Sequence, residues 1–220
     1  MSGGGNEKQS FPLDKFFFGT LPKNGCFLYI PSALRGHKLY STAHLWMKGI
    51  TELHKRPDVR FETADNLSNY NFEKLKAFDA IYIGGGNTWN LIQEMREAGF
   101  VDILIQYIGT GGQVYGGSAG AIIMGKRIDT HDDENEMGQQ DASGLNILKD
   151  FSVACHFKEE QSARFKAWAI GNDLPIICLA EETGLIIEKS VALCAGTKPC
   201  VVYLADGTKE EINPGEALEL

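Results

Sequence analysis

Residues 113–125 read QVYGGSAGAIIMG, a short strand-like run followed by a glycine turn and the apolar start of a helix. Within this stretch, Gly116, Ser118 and Gly120 match the G-x-S-x-G pattern of a nucleophile elbow. A serine on so sharp a turn needs neighbours without bulky side chains, and the N–H groups at a helix start favour an oxyanion. The pentapeptide alone is also compatible with a close-packed turn whose serine only caps the helix.

A second glycine turn supports the catalytic interpretation. Residues 81–91 read IYIGGGNTWNL, which is again a strand, a glycine turn and a helix start. Backbone N–H groups of Gly85 or Gly86, at a neighbouring strand end, would complete an oxyanion hole begun at Ala119. A phosphate-binding loop does not fit, because no Lys-Ser/Thr follows and Trp89 interrupts the G-x-G-x-x-G pattern.

Apolar runs alternate with amphipathic segments through the first 170 residues, which predicts an open, mostly parallel α/β sheet with helices on both faces. The predicted strands are 26–30, 59–62, 80–83, 113–115, 127–129, 152–155 and 176–179, and the predicted helices are 41–54, 88–97, 101–108 and 159–169. Shorter runs separated by turn residues predict antiparallel strands at 184–188, 191–194, 200–204 and 208–212. No linker or repeat divides the chain, so we expect one domain, residues 1–220.

The glycines at positions 3–5 are unusual for this architecture. They would ordinarily follow a first strand of the sheet, yet only Met1 and Ser2 precede them. Either that strand is truncated or the protein lacks it, and a frayed glycine-rich terminus is the simpler alternative.

The composition is that of a folded protein, since 43% of the 220 residues are hydrophobic and 23% are charged. A net charge of −8 without any basic cluster argues against nucleic acid as a partner. The five cysteines form no CxxC pair, no apolar run approaches the roughly 18 residues of a membrane span, and the N-terminus does not resemble a signal peptide. These features predict a cytoplasmic protein that does not bind membranes.

A serine nucleophile needs a general base, and His156 is the best candidate among the five histidines. It follows a strand-like run 38 residues after Ser118, so it is expected at the same sheet edge. Cys155 would point to the opposite face of that strand. The carboxylate that orients the base is sought between serine and histidine, where spacing alone does not choose among Asp129, Asp132, Asp133, Glu134, Glu136 and Asp141. His131 and these acids lack recognised metal-ligand spacing, so we expect no metal and no cofactor.

Together these motifs resemble the dipeptidase E family of serine peptidases, which includes aspartyl dipeptidases and cyanophycinases. The resemblance rests on GGGNT at 84–88, GGSAGA at 116–121 and CHF at 155–157. It implies a fold like that of class I glutamine amidotransferases and hydrolysis of small peptides. The alternatives are a non-catalytic relative that binds a ligand or partner, and an α/β-hydrolase-type esterase. The esterase is disfavoured because residues 157–220 contain no histidine.

The resemblance also implies roles for individual residues. Ser118 matches the nucleophile and His156 the base, while Gly86 and Ala119 match the oxyanion-hole N–H groups. The family's acid lies fifteen residues after the serine, which is Asp133 here, although Asp132 and Glu134 are adjacent.

Substrate binding is where the sequence departs from the family pattern. Gly85 and Asn87 in the glycine turn are candidate substrate-binding residues, together with Glu159 and Arg164 in the segment HFKEEQSARFKAW. Aspartyl dipeptidases hold the substrate aspartate with an arginine shortly after the histidine, and Glu159 stands in the apparent counterpart position. A glutamate there would repel a carboxylate, which predicts poor cleavage of Asp-X dipeptides and a preference for neutral or basic N-terminal residues. Alternatively, Glu159 only favours the first turn of a helix.

Overall fold

The computed structural model describes residues 1–136 and 138–220, and it contains seven α-helices and eleven β-strands in that part of the chain. The strands are β1 (Cys26–Ile30), β2 (Arg60–Thr63), β3 (Ala80–Ile83), β4 (Val114–Gly116), β5 (Ser152–Ala154), β6 (Ile176–Cys178), β7 (Thr183–Glu188), β8 (Val191–Gly196), β9 (Cys200–Tyr203), β10 (Lys209–Ile212) and β11 (Ala217–Glu219). The helices are α1 (Phe11–Thr20), α2 (Ala43–Leu53), α3 (Phe72–Leu75), α4 (Thr88–Glu97), α5 (Phe100–Gly109), α6 (Ala119–Ile122) and α7 (Ser162–Asn172).

The first half forms a parallel sheet in the order β2-β1-β3-β4. Its central strands β1 and β3 are buried almost throughout because helices cover both faces. One face packs against α4 and α5 and the other against α1 and α2. This arrangement confirms the predicted open α/β sheet with helices on both faces.

The second half contains two smaller sheets. One has the order β10-β9-β6-β5, in which β5 and β6 are parallel and the other pairs are antiparallel. The other is the antiparallel sheet β11-β8-β7. The predicted antiparallel finish is therefore confirmed.

Ser2 stands where a first strand would lie. It forms a parallel bridge with Gly117 and an antiparallel bridge with Gly184, so one residue links the parallel sheet to β7. Its N–H donates to the Gly116 carbonyl at 2.9 Å, and its carbonyl accepts from the Ser118 N–H at 3.1 Å. The N-terminal segment is thus hydrogen-bonded to both ends of the glycine turn that carries Ser118.

The predicted strand at 127–129 is wrong. Within that segment Arg127 makes one isolated bridge, to Ser143, and its guanidinium pairs with Asp129 at 2.5 Å. The segment therefore has a side-chain ion pair and a single bridge in place of the hydrogen-bond ladder of a strand.

No helix in the described part of the chain is long and apolar enough to cross a bilayer.

Candidate active site

Ser118 lies on the sharp turn between β4 and α6, with φ 51° and ψ −113°. The glycines around it are required by close packing. A Cβ on Gly116 would lie 2.3 Å from the carbonyl oxygen of Gly120, and one on Gly120 would lie 2.5 Å from the carbonyl oxygen of Ile83. The G-x-S-x-G spacing therefore marks a turn that admits no side chain two residues before or two residues after the serine, as an elbow requires.

His156 contacts Ser118 directly. Its Nε2 lies 2.8 Å from Ser118 Oγ, so the two residues predicted from sequence as nucleophile and base are brought together. The histidine follows β5 with φ 56°, and its N–H donates to the Gly3 carbonyl at 3.0 Å. The N-terminal segment thereby holds the backbone of the base as well as that of the serine.

Glu181 occupies the position behind the imidazole. Its Oε1 lies 3.0 Å from His156 Nδ1, and its Oε2 accepts a hydrogen bond from Gln9 Nε2. The Asn6 N–H donates to Gln9 Oε1 at 3.0 Å, which fixes the orientation of that amide. The hydrogen bond from His156 lowers the pKa of Glu181, partial burial opposes the shift, and Gln9 adds to the lowering. Glu181 is therefore an ionised carboxylate aimed at the base, and the sequence prediction did not include it.

Asp133 contacts residues other than His156. Its Oδ2 accepts from the Thr88 N–H at 2.7 Å and lies 3.1 Å from His131 Nδ1, at the start of α4. The Asp133 N–H also donates to that ring nitrogen at 2.9 Å. The Asp133 carboxylate contacts the start of α4 and His131, whereas Glu181 contacts His156, so the carboxylate assigned by family spacing is not the one that contacts the imidazole.

Three of the other acids considered for this role have different side-chain partners. Asp132 pairs with Arg164 at 2.6 Å, and this contact lowers the pKa of the Asp132 carboxyl. Asp141 pairs with Arg96 at 3.0 Å. The backbone carbonyl of Glu134 accepts from Asn87 Nδ2, and within residues 1–136 and 138–220 the His156 imidazole is hydrogen-bonded to neither the Glu134 nor the Glu136 carboxylate. Asp129 pairs with Arg127, as described for the 127–129 segment.

The oxyanion-hole candidates converge on the serine. A Cβ on Gly85 would lie 3.0 Å from Ser118 Cβ, so the turn after β3 lies directly against the nucleophile. Gly86 has φ 139°, and any Cβ there would lie 2.3 Å from the Ala33 carbonyl oxygen. Within residues 1–136 and 138–220, no carbonyl accepts from the N–H groups of Gly85, Gly86 or Ala119. These N–H groups are available to a developing oxyanion.

The remaining predicted substrate-binding residues have structural partners. Asn87 caps α4 by accepting from the Asn90 N–H. Glu159 pairs with Lys209 at 2.8 Å, which lowers the pKa of the Glu159 carboxyl, and Arg164 pairs with Asp132. None of Asn87, Glu159 and Arg164 lines the cavity beside Ser118, whereas Gly85 does. The position of Glu159 therefore does not support the prediction that this residue repels the aspartate of Asp-X dipeptides.

A cavity of about 470 Å³ opens beside Ser118 and His156. The N-terminal segment, the glycine turn after β3, and the region between β1 and α2 form its walls. Its size and position are those of a binding site for part of a small substrate.

Gly4 packs against the imidazole, and substituting it should disturb the base. A Cβ there would lie 2.5 Å from His156 Cε1, and φ 93° strains any L-residue. We expect Gly4→Ala to lower kcat/KM for dipeptide hydrolysis about 100-fold, since displacing a catalytic group by about 1 Å has costs of that order. Gly49→Ala is the control, because Gly49 lies in α2 with no atom within 4 Å of the added methyl. Equal activity of the two variants would contradict the role of Gly4.

A model of peptidase family S51 matches residues 1–194. The chain belongs to peptidase family S51. Its relatives include a probable alpha-aspartyl dipeptidase of Drosophila melanogaster, 24% identical over 203 residues, which cover 85% of this chain and 79% of that protein. Peptidase E of Nostoc sp. is 27% identical over 173 residues, which cover 74% of this chain and 71% of that protein. The predicted resemblance to dipeptidase E is confirmed, and this S51 protein is a serine-type peptidase.

Solved structures show the same fold. A putative Peptidase E from Listeria monocytogenes superposes with a TM-score of 0.70 at 22% identity and covers 88% of this chain and 96% of that chain. A peptidase from an acI-B1 Actinobacterium superposes with a TM-score of 0.69 at 20% identity and covers 100% and 95% of the two chains. The α/β architecture of this S51 peptidase is thus shared over nearly its whole length.

Proposed function

We propose that this S51 peptidase hydrolyses small peptides through a Ser118–His156–Glu181 triad. The observation that carries the proposal is the unbroken hydrogen-bond chain from Ser118 Oγ to His156 Nε2 at 2.8 Å and from His156 Nδ1 to Glu181 Oε1 at 3.0 Å. A nucleophile, a base and an orienting carboxylate in this order define a serine triad by geometry, whatever their order in the chain.

The geometry supports acyl transfer in two steps. Ser118 Oγ attacks the peptide carbonyl while His156 Nε2 takes its proton, and the N–H groups near Gly85, Gly86 and Ala119 receive the oxyanion. His156 then protonates the departing amine, which leaves an ester on Ser118. A water molecule gives its proton to His156 and attacks the ester, releasing the acid and restoring the serine. Glu181 stabilises the imidazolium in both steps.

The cellular setting belongs to the same proposal. All five cysteines are unpaired thiols, which is consistent with a reducing compartment, and we infer that the peptidase acts in the cytoplasm as one domain on small peptides. The net charge of −8 disfavours nucleic acid as a partner.

An alkyl fluorophosphonate probe tests this function. The probe phosphonylates an activated serine and releases fluoride, so peptide mapping should find the label on Ser118. We expect His156→Ala to abolish labelling and His44→Ala, at an exposed histidine of α2, to leave it unchanged. A folded protein without label on Ser118 would contradict the triad and favour a non-catalytic binding role.

A further inference from the structure

Three tyrosines form a row beneath the catalytic edge of the parallel sheet. Tyr29 pairs in register with Tyr82, and Tyr82 pairs in register with Tyr115, so all three side chains lie on the face covered by α1 and α2. The rings of Tyr82 and Tyr115 stack with centroids 4.4 Å apart. The ring centroid of Trp46 in α2 lies 6.1 Å from that of Tyr29 and 6.3 Å from that of Tyr82. All four rings line the cavity beside Ser118.

Asp14 lies behind this tyrosine row. Its side chain belongs to α1 and is 1% exposed. Tyr82 Oη donates to Asp14 Oδ1 at 3.0 Å, and Ser10 Oγ donates to Oδ2 at 2.7 Å. Ser10 Oγ also lies 3.2 Å from the Asn6 carbonyl oxygen, but the contact with Asp14 is the shorter one. A hydroxyl that donates its proton to the carboxylate keeps its lone pairs as acceptors, and Ser10 and Tyr82 both line the cavity.

No lysine or arginine in the described chain forms an ion pair with Asp14. The Met1 nitrogen donates to the Leu185 carbonyl at 2.6 Å rather than to Asp14. A buried carboxylate without a cation is costly, and its field extends into the adjoining low-dielectric cavity. This wall therefore attracts a positive charge.

The rest of the cavity has the same electrostatic character. Its lining within residues 1–136 and 138–220 includes no lysine or arginine, while Asp133 contributes a further carboxylate. At the rim, Trp46 Nε1 donates to Glu7 Oε1 at 2.9 Å, and the backbone hydrogen bond of Glu7 followed by this contact lowers the pKa of the Glu7 carboxyl. Aromatic faces add cation–π attraction. A substrate carboxylate would find no lysine or arginine among these lining residues, whereas a cation would be stabilised by each of these acidic and aromatic groups.

We propose that this cavity binds the acyl-side residue of the substrate and selects a basic side chain. This inference rests on the proposed peptidase function. The aliphatic stem of a lysine or arginine would lie against the tyrosine row and Trp46, and its cationic head would reach the hydroxyl oxygens of Ser10 and Tyr82 in front of Asp14. The preference replaces aspartate, the residue named for the Drosophila relative, with a residue of opposite charge.

Three dipeptides test the charge preference on the purified chain. Lys-Leu and norleucyl-Leu have side chains of similar length and differ chiefly in the terminal charge, and Asp-Leu carries the opposite charge. We expect kcat/KM, measured by leucine release, to be at least about tenfold higher for Lys-Leu than for norleucyl-Leu and lowest for Asp-Leu. Equal or better cleavage of norleucyl-Leu, or preferred cleavage of Asp-Leu, would overturn the inference while leaving the triad intact. Failure to cleave any peptide, together with an unlabelled Ser118, would refute the peptidase function and this inference with it.

Two variants locate the source of the preference. Asp14→Asn keeps the side-chain shape and removes the charge, and we expect the Lys-Leu to norleucyl-Leu ratio to fall about tenfold. Tyr82→Phe removes one hydroxyl oxygen but keeps the ring, and the Lys-Leu to norleucyl-Leu ratio should fall severalfold. If Asp14→Asn does not fold, the ratio measured for Tyr82→Phe tests the proposal instead. Asp102→Asn, at an exposed carboxylate of α5, is the control and should keep the wild-type ratio. An unchanged ratio in a folded Asp14→Asn variant would contradict the proposal.

Discussion

Ser118→Ala is expected to lower kcat for dipeptide hydrolysis by about four to six orders of magnitude, because it removes the atom that forms the acyl-enzyme. The remaining turnover should resemble what the oxyanion-hole N–H groups alone provide. The measurement is steady-state leucine release from a saturating dipeptide, with Ser41→Ala as the control at an exposed serine.

The same substitution should lower Tm by only a few degrees. Alanine keeps the Cβ of Ser118, so the positive φ of 51° costs the variant no more than the wild type. What is lost is the 2.8 Å hydrogen bond to His156, and such a bond contributes about 1 kcal/mol. Retention of more than about 1% of wild-type kcat in a variant with a normal melting curve would show that Ser118 is not the nucleophile.

The catalytic turn was predictable from the sequence because its signal is local. Only glycine fits at positions 116 and 120, because a carbonyl oxygen lies within 2.5 Å of any Cβ added there. This requirement produces a recognisable pattern within five consecutive residues. His156 was predictable because a parallel sheet brings its strand ends to a common edge. Both inferences needed only the order of strands and turns.

Helix α1 was missed although its signal was present. Leu13, Phe17 and Phe18 are buried at helical spacing, and Pro12 stands in the first turn, where proline is tolerated. The apolar run FFF at 16–18 obscured this periodicity, since Phe16 faces solvent. Asp14, which underlies the proposed specificity, was missed with the helix that carries it.

Glu181 could have been found by the argument that found His156. It comes three residues after β6, a fully buried strand parallel to β5, and this position places its side chain at the same sheet edge as the histidine. Restricting the search to acids between serine and histidine excluded it. The pairing of Gln9 with Glu181 was not predictable, because contacts between residues 172 positions apart leave no local pattern.

The last prediction distinguishes the two carboxylates. Glu181→Gln is nearly isosteric, but it replaces the acceptor of the His156 Nδ1 proton with a neutral amide. The amide allows the wrong tautomer and cannot stabilise the imidazolium, so we expect kcat to fall about 10³- to 10⁴-fold. Asp133→Asn should lower kcat less than about tenfold, because the Asp133 carboxylate contacts Thr88 and His131 rather than the base.

The same two variants should differ in thermal stability in the opposite sense, with the larger loss of Tm in Asp133→Asn. Asp133 places negative charge at the start of α4, a position where a carboxylate contributes about 0.3–1 kcal/mol, so Asp133→Asn should lower Tm by a few degrees. Glu181 is one-third exposed, so solvent weakens its contacts with His156 and Gln9, and Glu181→Gln should lower Tm by less than Asp133→Asn does. A large loss of kcat in Asp133→Asn with little effect of Glu181→Gln would mean that the acid implied by family spacing reaches His156 during turnover, and the Ser118–His156–Glu181 assignment would then be wrong. The hydrogen bonds of the two carboxylates predict the opposite pattern. Glu181→Gln should lose most of the activity, and Asp133→Asn should show the larger loss of stability.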